Sequence, residues 1–263
     1  MTTTENLVIF TWTNSELAKP FVDYFSRQIH TKIIATFNNR PIALTDTIIP
    51  VQVDLQNRKE TQDKISKVLQ EQQLHDLKKV YIMHMIWAFK YEWKDQIPEI
   101  DVDADGIDDE VYGSNITVFD NIYDIIHTSL FVNDFNHKQL YLFNIWSKRD
   151  YDPSIVPWKS YAIVKNMLRD KFRILSNQYP NIHSLFINAS TIDILKERQL
   201  RPFGEYNYRL SIDEVYQKSI KELPNLIWNK EVEMFVDHPK YSSVFQYETL
   251  EDTHNRWVKE MWI

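Results

Sequence analysis

Along this chain, short runs of apolar residues alternate with longer segments in which apolar side chains recur every third or fourth position. Residues 7–11, 32–37, 48–53, 80–87, 139–145 and 182–188 are near-continuous apolar runs of strand length. From Ser15 onward Leu17, Phe21, Phe25 and Ile29 repeat at i+4, which predicts a helix with Ser15 as N-cap and Pro20 tolerated early in it. Residues 57–73, 115–133 and 159–178 predict three further helices, and an acidic insertion at about 95–112 interrupts the rhythm. Strands that are apolar along their whole length cannot face water, and helices between them supply the cover. The pattern therefore predicts one α/β domain over 1–263, a doubly wound parallel sheet whose core spans about 7–190. In the C-terminal region, 190–263, the pattern loosens into a helix at 211–222, a strand at 231–236 and an amphipathic tail at 250–262.

Composition narrows what such a domain can do. The formal net charge is −7, with no Lys/Arg block, so neither nucleic acid nor a membrane surface is an expected partner. No stretch approaches the ~20 apolar residues of a membrane span, and the start lacks a basic and then apolar leader; a cytoplasmic location is expected. The absence of cysteine excludes disulfides and thiolate catalysis. Glycine is scarce: Gly106, Gly113 and Gly204 stand where average usage would give roughly eighteen.

Candidate chemistry lies at Tyr161 and Lys165. Tyr-x-x-x-Lys on a helix puts both side chains on one face, a turn apart, and an ammonium beside a phenol favours the phenolate. Ser147 follows the strand ending Asn144-Ile145, fourteen residues before Tyr161, and Asn115 opens the preceding helix. Together these residues resemble the Asn–Ser–Tyr–Lys tetrad of the short-chain dehydrogenase/reductase family, and the strand order matches over about 7–190. The resemblance implies a Rossmann-like fold and a small-molecule substrate. It also implies that Tyr161 exchanges a proton with a carbonyl or alcohol, Ser147 holds that oxygen, Lys165 tunes the tyrosine and Asn115 holds a relay water. The Ser-to-Tyr interval is one residue longer than the family's usual one. The family's oligomers further imply a homodimer or homotetramer.

On the cofactor side the resemblance breaks. Against the family's Thr-Gly-x-x-x-Gly-x-Gly turn, Thr11 is kept, but Trp12, Glu16 and Ala18 take the three glycine places. Those glycines give the tight turn, the close approach to a pyrophosphate and the helix–strand packing. Trp12 puts a ring where backbone should lie bare, and Glu16 puts a carboxylate where a phosphate would sit. The family's Asn-Asn-Ala-Gly is replaced by His84-Met85-Ile86-Trp87. Asp54 stands where the family contacts adenine, and Arg40 where a basic residue favours a 2′-phosphate, hence NADP if any dinucleotide binds. The expectation is that none binds in the conventional mode. Trp12, His84 and Trp87 are then candidates for the substrate pocket, the two tryptophans filling the vacated floor.

Asp101, Asp103, Asp105 and Gly106 resemble the start of a calcium loop, but Tyr112 stands where its bidentate glutamate belongs; a solvated acidic loop is expected, a weak Ca²⁺ site being the alternative. Arg198, Arg201 and Arg209, near the loop that selects substrate in the family, are expected to be solvated. Three functions stay open: an acid/base enzyme of dehydratase, isomerase or cyclase type, an NADPH-dependent carbonyl reductase with an atypical cofactor site, and a catalytically inactive scaffold or partner subunit.

Overall fold

The computed structural model describes residues 4–40, 45–72, 74, 77–85, 106–132, 137–147, 159–205, 207–240, 249, 251–252, 255–256 and 259–260. Seven strands form one parallel sheet: β1 (Asn6–Thr11), β2 (Thr31–Phe37), β3 (Ile48–Gln52), β4 (Lys79–His84), β5 (Gln139–Ser147), β6 (Ile182–Ala189) and β7 (Glu231–Val236). Their order is β3-β2-β1-β4-β5-β6-β7. The direction of winding reverses between β1 and β4, and the carboxyl ends of those two strands define the crevice where such sheets bind ligands.

Helices cover both faces because neighbouring residues on each strand point to opposite sides. Leu7, Ile9, Val80, Ile82, Leu140 and Leu142 pack beneath α2 (Arg58–Glu71), α4 (Val118–Ile126) and α5 (Lys159–Gln178). Val8, Phe10, Met83, Tyr141 and Phe143 pack on the other side with α1 (Lys19–Ser26) and α7 (Ile212–Glu222). The expected helix from Ser15 begins four residues later, at Lys19. The Ser15 hydroxyl does accept the Ala18 amide at 3.0 Å, but within the turn that precedes the helix. The helix expected at 211–222 is α7, and its start is fixed by a reciprocal capping box between Ser211 and Glu214.

The segment before α5 is irregular in an informative way. α3 (Asp109–Tyr112), capped by the Asp108 carboxylate, runs through a π-helical turn, Gly113–Thr117, into α4, and a second π turn, His127–Phe131, ends the run. Gly106, at φ +75, makes the backbone turn leading into this segment, a conformation side chains rarely adopt. The Ser160 hydroxyl accepts the Asp108 amide at 2.8 Å, tying the start of α3 to the start of α5. π turns occur frequently at functional sites, and this one carries Asn115.

Candidate active site

Four elements converge at the switch point: the ends of β1 and β4, the first π turn and the first turns of α5. In register, Thr11 pairs with His84, and His84 with Asn144. All three side chains point to the face covered by α4 and α5, and all are fully buried. The Thr11 hydroxyl donates to Met83 O at 3.4 Å, accepts the Met85 amide at 3.2 Å and lies 3.2 Å from His84 Nδ1. Between Thr11 Oγ1 and His84 Nδ1 either atom can be the donor, according to the tautomer of the imidazole.

His84 is held neutral. Burial pushes its pKa well below the ordinary value and the Lys165 ammonium adds to this, while the backbone of Asn115 works weakly the other way. Phe119 meets the imidazole edge-on. Among the described residues neither His84 Nε2 nor Asn144 Oδ1 has a hydrogen-bond partner, although Asn144 Nδ2 donates to His84 O at 3.1 Å. Two buried groups with unused hydrogen-bonding capacity at one place are unusual. Asn144 was not singled out from sequence; the signal for it is an amide inside an otherwise apolar strand.

Tyr161 and Lys165 sit one turn apart on α5, as their spacing requires, both buried, with Nζ 5.4 Å from the centre of the Tyr161 ring. Asn115 is buried within the π turn, and its side chain donates to Val111 O at 2.9 Å. The structure thus brings together Tyr161, Lys165, Asn115, His84 and Thr11. Ser147 ends β5 opposite Ala189 and is described by its backbone alone. Trp87, Asp101, Asp103 and Asp105 lie outside the described residues. Among the described residues no cluster of three or more His, Asp or Glu side chains is arranged to hold a metal ion.

The turn after β1 departs from a dinucleotide cradle in a specific manner. Trp12 adopts the left-handed φ of +67 that a glycine would take without strain, at a cost of about 1 kcal/mol for a side-chain-bearing residue. Its ring does not fill the floor as expected but is 45 % exposed. Glu16 accepts the backbone N–H of Leu195 at 2.7 Å, and Leu195 is the first residue of α6 (Leu195–Leu200). A carboxylate of the chain itself therefore bridges the β1–α1 turn to the segment after β6, its negative charge standing where the resemblance would put a phosphate. Arg40 is exposed, and its carbonyl accepts Asn14 Nδ2 from the same turn. Asp54 is exposed too, its carboxylate accepting the Gln56 amide at 3.0 Å in a local turn.

Of the three arginines after β6, Arg198 is exposed as expected, while Arg201 and Arg209 correct the expectation of solvation. Arg201 is 1 % exposed and Arg209 5 %. Arg201 pairs with Glu197 and, at 2.8 Å, with Glu260, which also accepts from the Tyr208 hydroxyl at 2.7 Å and from Arg256 at 3.1 Å. Arg209 donates to the Arg201 carbonyl, and Arg198 to Asp193. Arg201 and Arg209 thus organise the C-terminal region instead of facing solvent.

No family model matches the sequence, and no curated protein matches it significantly. Solved structures do match in shape. The ligand-free aldohexose dehydrogenase of Thermoplasma acidophilum superposes with a TM-score of 0.70 at 11 % identity, over 94 % of this chain and 97 % of its own. The 3-ketoacyl-(acyl-carrier-protein) reductase of Brucella melitensis, complexed with NADH, gives 0.68 at 12 % identity over 90 % and 98 %. A short-chain dehydrogenase of Leptospira borgpetersenii with bound NAD+ gives 0.66 at 14 % identity over 90 % and 93 %. With sequences this distant the similarity speaks to architecture alone, and it agrees with the parallel doubly wound sheet. The fold of this chain is that of the short-chain dehydrogenases and reductases, carried by a divergent sequence.

Proposed function

We propose that the chain is an acid/base enzyme acting on a carbonyl or hydroxyl group of a small molecule, without a dinucleotide held in the conventional way. The observation that carries the reading is the buried pairing of Lys165 with Tyr161 beside two unused hydrogen-bonding atoms, His84 Nε2 and Asn144 Oδ1. A buried ammonium next to a phenol favours the phenolate, so Tyr161 can take a proton from a hydroxyl or return one to a developing oxyanion. Neutral His84 and Asn144 offer hydrogen-bond partners to a water or a substrate hydroxyl, which positions the oxygen without adding charge. Asn115, on the π turn, and Ser147, at the end of β5, complete the set by resemblance. Dehydration, isomerisation or cyclisation needs only such proton movement.

The dinucleotide reading fits the residues less well. Trp12 and Glu16 replace two cradle glycines, and the Glu16 carboxylate already holds the amide of Leu195. A reductase remains the second reading, favoured by Arg40 beside the β1–α1 turn and by neighbours in fold whose structures contain NAD+ or NADH.

The test is a screen of carbonyl and hydroxy compounds followed by proton NMR, with wild type and Tyr161→Phe run in parallel in the absence of nicotinamide. Turnover that disappears in Tyr161→Phe supports the reading. Turnover that survives the substitution, or that requires NADPH at saturable micromolar concentration, overturns it.

A further inference from the structure

The amino ends of β4, β5 and β6 lie at the far edge of the sheet from Tyr161, some six residues or ~20 Å down the strands. There the chain forms a pocket of about 490 Å³, lined by Lys78, Lys79, His137, Lys138, Gln139 and Asn181, with Pro180 beside them. Its volume falls in the range of small-molecule sites. Among the described residues, the lining brings three lysines and a histidine together without a carboxylate, in a protein whose net charge is −7. Concentrating cations in one concavity costs free energy through mutual repulsion, and the fold requires little of it.

The side chains differ in what they already do. Lys78 is paired with Glu5 at 2.7 Å on the open rim. Lys138 is 6 % exposed and donates to the Leu130 carbonyl at 3.1 Å, so its charge is fixed in the wall. Among the described residues, the side chains of Lys79 and His137 show neither a hydrogen bond nor an ion pair, which leaves their nitrogens available to a ligand. The floor is rigid, because the first backbone amides of the strands are already bonded: Lys79 N to Glu5 O, Gln139 N to Lys78 O and Leu140 N to Asn181 O. Asn181 Nδ2 also donates to Lys138 O at 2.7 Å. Recognition is thereby left to side chains around a fixed platform.

We propose that this pocket is a binding site for a small, multiply charged anion of the phosphate class, separate from the site at Tyr161. Lysine ammoniums act as point charges and suit phosphate oxygens, while Gln139 and Asn181 place amides at the same wall.

The experiment is isothermal titration of the whole protein with pyrophosphate at low ionic strength, repeated with citrate, for wild type, Lys79→Glu, His137→Ala and Arg40→Ala. The backbone of Lys79 starts β4, but among the described residues its side chain makes no hydrogen bond or ion pair, and circular dichroism checks that each variant is folded. One saturable site is expected, weakened about tenfold in Lys79→Glu, weakened less in His137→Ala and unchanged in Arg40→Ala. Binding absent in wild type, equal in Lys79→Glu, or lost in Arg40→Ala overturns the assignment. Citrate binding as tightly as pyrophosphate overturns its phosphate class.

Discussion

Replacing Glu16 with alanine has two consequences that can be sized separately. The carboxylate accepts a backbone amide at 2.7 Å at an exposed position, a contact equivalent to a helix cap. Its loss should cost about 1 kcal/mol, which for a chain of this size lowers Tm by roughly 2–4 °C. The second consequence concerns anions. A unit negative charge ~4 Å from a phosphate oxygen repels it by about 1 kcal/mol in water and about 4 kcal/mol at an effective dielectric near 20. Because Glu16 is exposed, the smaller figure is the better guide, so removal should improve the dissociation constant for NADPH by about five- to tenfold. The assay is quenching of tryptophan fluorescence by NADPH, with Trp12 beside the turn as reporter, for wild type, Glu16→Ala and Glu16→Gln, together with thermal unfolding. Glu16→Gln removes the charge but keeps an acceptor, so it should gain the affinity while losing less stability. If wild type already saturates at micromolar NADPH and neither variant changes it, the reasoning about the turn is refuted.

Other expectations follow from single contacts. Trp12→Gly should not lower Tm, since relief of the left-handed backbone offsets the entropy gained by the unfolded chain, and the exposed ring contributes little burial; a clear loss of Tm would show that the ring packs usefully. Burial alone would raise the Glu260 carboxyl, but Arg201, the Tyr208 hydroxyl and Arg256 outweigh it and hold its pKa below the ordinary value. Its contribution is therefore present above about pH 4.3 and lost as pH falls through the lower folded value. Glu260→Gln should lose about 3 kcal/mol in urea unfolding at pH 7 and show a flatter acid limb; an unchanged acid limb would sink this. For His84, whose folded pKa lies below its unfolded one, stability is full above about pH 6.5 and falls by up to ~1.4 kcal/mol per pH unit below it. Nitrogen-15 NMR should show this imidazole still neutral at pH 5.5, and a charged ring there would contradict the site as described.

Much of this molecule was legible in the order of its residues. Apolar runs and i+4 spacings are local properties, and they located the strands, the extent of α5, the helix after Ser211 and the common face of Tyr161 and Lys165. What lay out of reach were partnerships between distant segments. Nothing local links Thr11 with His84, or sends Glu16 to an amide 179 residues away. Arg201 read as a solvated loop residue because its counter-charge, Glu260, lies 59 positions further on. A π turn leaves no mark in the apolar pattern, so Asn115 could be placed on a helix but not at its irregularity. Periodicity determines which face of an element is buried; the crossovers of the chain decide what that face meets. At those meetings strands remote in sequence end side by side, and the helix carrying Tyr161 and Lys165 packs over them.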